Sequence, residues 1–154
     1  MFIFLRLLHI LGVIMFVGNI LTAALWKMRA DASGDLHVIA FAQRGVMFAD
    51  YVFTLPGAAL ITVSGLWMTD LSGRNLFQTG WLFTALILLI VTLLIWLLEL
   101  LPVQRRLIRA ADEAVRTGQL DPVFKGLSLR WTIFGMLATL LPLVNLYLMV
   151  FKPF

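Results

Sequence analysis

Apolar residues along this chain fall into four runs, about 2–26, 48–69, 80–103 and 129–151. Each is long enough for a helix to cross a hydrocarbon core of about 30 Å, which takes roughly 20 residues. Polar residues collect between them in two substantial connections and a short one. In the first connection, about 35–47, Leu36, Ile39, Val46 and Met47 recur at an imperfect helical period among His37, Gln43 and Arg44. That spacing predicts a short helix along the membrane surface. In the last, about 104–117, Leu107, Ile108, Ala111 and Val115 share one side of a basic segment that ends at Gly118 and Asp121-Pro122. This predicts an amphipathic helix lying on, or projecting from, the same membrane face. The turn Thr69 to Asn75 makes spans two and three antiparallel neighbours. The pattern as a whole predicts an all-α membrane protein, a four-helix transmembrane bundle in which 1–154 is a single domain.

At helical spacing His9, Gly12, Phe16, Asn19, Ala23 and Trp26 share one face of the first span, while Phe4, Leu8, Ile14, Leu21 and Leu25 spread over the rest. A polar side chain turned to lipid is costly, and Gly12 and Ala23 admit a close backbone, so this face is expected to meet partner helices. Gly18 is expected to leave little room for a bulkier neighbour of Asn19. In span two, Pro56-Gly57 followed by Ile61 and Gly65 predicts a kink and close packing. Span three opens with Gly80-Trp81 and spaces Ala85, Thr92 and Glu99 by sevens, which predicts one stripe before Pro102 bends the helix. Span four turns Thr132, Gly135, Thr139, Pro142, Asn145 and Met149 toward one side.

Composition sharpens the class. With 62% hydrophobic and 13% charged residues, the chain lacks the polar surface of a soluble globule. The absence of cysteine removes disulfides, iron–sulfur clusters and thiolate metal sites. The first run has only Arg6 before its apolar stretch and no persuasive small-residue cleavage site, so it is expected to be retained rather than cleaved as a signal peptide. Nine basic residues lie in two of the connections (Lys27, Arg29 and Arg44; Arg105, Arg106, Arg109, Arg116, Lys125 and Arg130), against Arg6, Arg74 and Lys152 elsewhere. The positive-inside rule then puts both termini on the outer side of a multi-pass protein of the cell inner membrane. The net charge of +4 is an orientation signal. With no nucleic-acid motif, the expected partner of the basic face is the lipid bilayer.

Few residues offer chemistry. His9 and Asn145 both lie about seven residues, roughly 10 Å, inside the outer ends of their spans, so they can meet. An imidazole there either ligates haem or copper, or relays a proton, or is hydrogen-bonded to a neighbouring helix. His37 belongs to the opposite side and cannot join the same metal. A haem b at His9 would draw a second ligand from Met149, Met68 or Met15, or from a second copy of the chain. Lys27 and Arg29 are candidates to clamp porphyrin propionates, a role that competes with simple membrane anchoring. Glu99 reads either as a proton or cation site or as a snorkelling carboxylate paired with Arg105, Arg106 or a base of another connection. Asn19, near mid-membrane, is placed to organise the core, and it is expected with Asn145, Met149, Lys27 and Arg29 to join His9 in binding a cofactor.

The motifs Leu8-His9-Ile10, Phe16-Val17-Gly18-Asn19, Gly80-Trp81 and Val150-Phe151-Lys152-Pro153-Phe154 together resemble a group of small bacterial integral membrane proteins of unknown function. That group is itself distantly similar to the HemJ-type protoporphyrinogen oxidase and to CopD copper-resistance membrane proteins. The resemblance spans the chain and implies a four-helix membrane bundle with a first-span histidine, here His9, as the residue for haem association. The oxidase-like proteins also carry a histidine within the third span and an Asn-Glu pair early in the last. This chain has Leu and Ile in the first place and Gly135-Met136 in the second. Two functions are therefore expected to compete. One is a membrane protein holding haem or another redox cofactor at His9. The other is a non-catalytic subunit or scaffold that contacts lipid, a membrane partner protein or a second copy as a homodimer. A small transporter is a weaker third reading, since Glu99 is the intramembrane charge available to it.

Overall fold

The computed structural model describes residues 1–153, so Phe154, the last residue of the C-terminal motif, lies outside it. The described residues form four long helices: α1 (Phe2–Ser33), α2 (Leu36–Leu71), α3 (Gly80–Thr117) and α4 (Pro122–Phe151). They run alternately up and down. One end of the bundle therefore carries the chain start, the 72–79 turn and the end of α4. The other carries the two turns flanked by most of the basic residues; these are called here the terminal end and the basic end.

The turns follow from local chemistry. Gly34 closes α1 in the left-handed region at φ 68°, and Asp35 caps α2 by accepting from the backbone N–H of His37 and Val38. Gly118 closes α3 at φ 76°, after which Asp121 caps α4 and Pro122 occupies its first turn, where a missing N–H costs nothing. Leu7, Ile14, Leu21 and Leu25 of α1 and Leu94, Leu97 and Leu98 of α3 are exposed on the outside of the bundle, as side chains facing lipid are.

The connecting segments are not separate helices. Residues 36–49 continue into span two through a π-turn at Asp50–Thr54, and 101–117 continue span three through a π-turn at Trp96–Leu100. Both π-turns end just before a proline, although Pro142 inside α4 produces none. Pro56 and Pro102 lack an N–H, and their rings press on the carbonyl four residues back. The preceding Leu55 and Leu101 then bond five residues back, to the carbonyls of Asp50 and Trp96. At 36 and 38 residues, α2 and α3 reach about 55 Å at 1.5 Å per residue, well beyond a 30 Å hydrocarbon core. The segment 35–47, expected to lie along the surface, instead packs on 101–117. Ile39 and Ala40 are buried with Leu107, Ala111 and Ala114, and Arg44 pairs with Asp112 at 3.0 Å.

Each π-turn adds a residue and so shifts the buried stripe. In α3 the stripe runs Ala85, Leu89, Thr92, Trp96 and resumes at Leu100, Gln104, Leu107, Ala111 and Ala114. Glu99, expected on the stripe with Ala85 and Thr92, is thereby turned off it. In α1 the buried set is Leu5, Gly12, Phe16, Asn19, Ala23, Lys27 and Ala30. Trp26, expected to face inward, is 65% exposed and Lys27 takes its place. An α-helix drifts about 20° per heptad against a seven-residue repeat, so three heptads bring the next residue round.

The closest crossing joins α1 and α2. A Cβ on Gly12 would meet the carbonyl oxygen of Gly57 at 2.9 Å, and one on Gly57 would meet the backbone N of Phe16 at 2.9 Å. Gly18, expected to be crowded, has nothing within 4 Å of its Cβ position. The larger apolar core lies toward the basic end, around Trp96, Leu100, Leu107, Phe124 and Trp131, and a smaller one of Phe16, Ala58 and Leu89 lies toward the terminal end. Cavities occupy the rest of that half.

Candidate functional site

At the terminal end, α1 brings His9 against α2. Its ring lies over Gly65, where an added Cβ would sit 3.2 Å from Cε1, and its Nδ1 is 3.0 Å from the Ser64 hydroxyl. Ser64 has a single hydroxyl proton, which it donates to the carbonyl of Leu60 in the preceding turn. Its oxygen must then accept from His9 Nδ1–H. The ring hydrogen then sits on Nδ1 and the lone pair on Nε2.

Two cavities meet at this histidine. One, of about 300 Å³, is lined by His9, Gly65, Met68, Trp81, Asn145 and Met149 among others, with Arg6, Arg74 and Lys152 also on its wall. The second, of about 270 Å³, shares His9, Asn145 and Met149 and reaches inward to Phe16 and Thr92. Both lie at or near the small end of the range for small-molecule sites. Asn145 donates to the carbonyl of Ala85 at 3.0 Å, while its buried Oδ1 has no partner. A buried acceptor left unsatisfied costs about 1–3 kcal/mol, a cost that a bound donor would remove. His9, Asn145 and Met149 are thus brought together as the sequence suggested, with Met68 beside them, whereas Met15 lines neither cavity.

Asn19 belongs elsewhere. Its Nδ2 donates to Asp50 Oδ1 at 3.0 Å and to Thr54 Oγ1 at 2.9 Å; Thr54 donates to the same carboxylate oxygen at 2.9 Å. From α3, Trp96 Nε1 donates to Asp50 Oδ2 at 3.1 Å. The two π-turns thus meet through a hydrogen bond between their first residues. Asp50 was not singled out by the sequence, where it reads as the start of a span. Leu-Pro occurs three times, at 55–56, 101–102 and 141–142, and Asp50 and Trp96 stand six residues before the first two prolines, but the third lies inside α4 without a π-turn, so the pair alone does not mark the site.

Lys27 and Arg29 lie some 27–30 Å along α1 from His9 at 1.5 Å per residue. They reach neither of its cavities. Lys27 is 1% exposed; its ammonium donates to Asp31 at 2.5 Å and Ser128 at 2.6 Å and sits 5.0 Å from the Trp131 ring centre. Ser128 donates to Asp31 in turn, Gln43 donates to Asp31 at 3.3 Å, and Gln104 donates to Gln43 at 3.0 Å. This layer ties all four helices together, so Lys27 is a core residue and not a free clamp. Arg29 is exposed and lines a groove between α1 and α2 near Trp26 and Phe41. Glu99 accepts from Arg130 Nη2 at 2.6 Å and Nε at 3.0 Å, an ion pair between α3 and α4.

No cluster of three or more His, Cys, Asp or Glu side chains occurs among the described residues. A bare metal ion would have His9 as its lone strong donor, whereas a cofactor that brings its own ligands needs only one. A family model described as "Predicted integral membrane protein (DUF2269)" matches residues 3–153. No curated protein and no solved structure matches the chain.

Proposed function

The chain belongs to this family of predicted integral membrane proteins, and we propose that it is a multi-pass protein that holds haem b at His9 in the terminal half of its bundle. The observation that carries the reading is the hydrogen bond from His9 Nδ1–H to Ser64, itself committed to Leu60. It fixes the ring and leaves the Nε2 lone pair to act as a ligand, which is the outer-shell arrangement that ligating histidines use. The donor set fits: one imidazole, thioethers of Met149 and Met68 on the wall, and the cations Arg6, Arg74 and Lys152 to meet carboxylates. These cations take the propionate role that the sequence had offered to Lys27 and Arg29. Bound there, a haem would supply one-electron chemistry. The protein's own contribution is to orient the imidazole, present an apolar wall through Ile61 and Leu89, and offer the unpaired Asn145 carbonyl as an acceptor.

The test is a visible spectrum of the protein purified in mild detergent with haem supplied. A Soret band is expected, lost in His9→Ala, with affinity lowered on the order of 10–100-fold in Ser64→Ala. A folded wild-type protein that shows no Soret band once unbound haem has been removed refutes the reading and favours the scaffold.

A further inference from the structure

Among the described residues, Asp31 and Glu99 each face a cation, but Asp50 is held by neutral donors alone: Asn19, Thr54 and Trp96. It sits deep. Asn19 and Trp96 are each seven residues inside the basic ends of the runs 2–26 and 80–103, about 10 Å at 1.5 Å per residue. An ionised carboxylate in that medium without a counter-charge is expensive, and binding one small cation removes the cost. Beside it is a cavity of about 40 Å³, room for about one water, lined by Asp50, Thr54, Thr92, Trp96 and Thr139 with apolar neighbours. The hydroxyls of Thr92 and Thr139 already donate to the carbonyls of Leu88 and Gly135. No second carboxylate lines the cavity, so it lacks the oxygen-rich set that a metal cation demands.

We propose that Asp50 is a proton-binding carboxyl that exchanges its proton with the His9 cavities past Phe16 and Thr92. Phe16 and Thr92 line both the Asp50 cavity and the 270 Å³ cavity that contains His9, so they alone form the shared wall. Toward the basic end the same cavity is closed by Ala23, Val46, Leu100 and Trp131. A hydronium reaching the cavity transfers its proton to Oδ2, the oxygen with a single donor; a neutral water and a neutral carboxyl result, and the reverse step restores both. The charged or titratable groups nearest in register are otherwise engaged. On α1 they are Lys27 with Asp31, on α3 Glu99, and on α4 Arg130, which pairs with Glu99; on α2 the exposed Tyr51 faces Arg105. The proposal does not depend on His9 holding any ligand.

Dicyclohexylcarbodiimide, which attacks protonated carboxyls in apolar surroundings, tests the site on the full chain in detergent. Peptide mapping by mass spectrometry is expected to place the adduct on Asp50 of the wild-type protein, with a rate that falls as pH rises, unchanged in Glu99→Gln and absent in Asp50→Asn. Because the adduct is located on the wild type, the result stands even if Asp50→Asn misfolds. An unmodified Asp50 in folded protein across the pH range overturns the proposal, as does protection by sodium at constant pH. For the route, the infrared carboxyl band is followed after transfer to heavy water. Exchange several-fold slower in Thr92→Val than in Ser128→Ala supports entry past Thr92; the reverse order, or equal rates, overturns it.

Discussion

Adding a single methyl group at Gly12 should unfold the bundle more readily, whereas the same methyl at Gly18, six residues along the same helix, should not. At Gly12 the new carbon would lie 2.9 Å from the Gly57 carbonyl oxygen, 2.9 Å from Leu60 Cβ and 3.0 Å from the Ile61 nitrogen. Two of those three atoms are backbone, so no side chain can swing aside and α1 must draw away from α2 by several tenths of an ångström. Overpacking of this kind costs typically about 1–3 kcal/mol. Separation also pulls His9 from Ser64, whose bond spans the same interface one turn away. At Gly18 nothing lies within 4 Å, and replacing a mid-helix glycine by alanine should gain about 0.5–1 kcal/mol from the lower entropy of the unfolded chain. The two variants should therefore differ by about 2 kcal/mol or more, roughly thirtyfold in the folding equilibrium. The assay is titration of the detergent-solubilised protein with sodium dodecyl sulfate, followed by far-ultraviolet circular dichroism and tryptophan fluorescence. Equal midpoints for Gly12→Ala and Gly18→Ala would refute the close crossing.

Lys27→Met should lower stability by an amount at the low end of about 3–5 kcal/mol, because Asp31, 23% exposed, loses its ammonium partner and keeps the neutral donors Ser128 and Gln43. The double variant Lys27→Met with Asp31→Leu should recover much of that loss in the same titration. Glu99→Gln should cost less than about 1 kcal/mol, since its partner Arg130 is half exposed; thermal unfolding that drops far more would place this pair in the core. On the nine-to-three asymmetry of basic residues, the basic end should be cytoplasmic. In a chain without native cysteines, an impermeant thiol reagent should label an introduced cysteine at 73, and not one at 118, from outside intact cells.

Periodicity and punctuation by themselves determined the number of spans, their alternation and the inward face of α1 from His9 to Ala23. They do so because lipid offers polar side chains no partner, leaving one orientation for His9 and Asn19, and because Gly34, Gly118 and Asp121-Pro122 act within a few residues of themselves. The tertiary structure decided what each inward residue touches. Ser64 carries no mark in the sequence as the partner of His9; it is one because Gly12 and Gly57 let α1 and α2 approach at that height. Glu99 and Trp26 turned out of the core because register accumulates along a helix, by the added residue of a π-turn in one case and by drift against the heptad in the other. Asp50 lies near a span boundary by hydropathy, yet Asn19 of α1 and Trp96 of α3 converge on it beside Thr54 of its own turn. Convergence of that kind is a property of how helices cross, and no single helix encodes it.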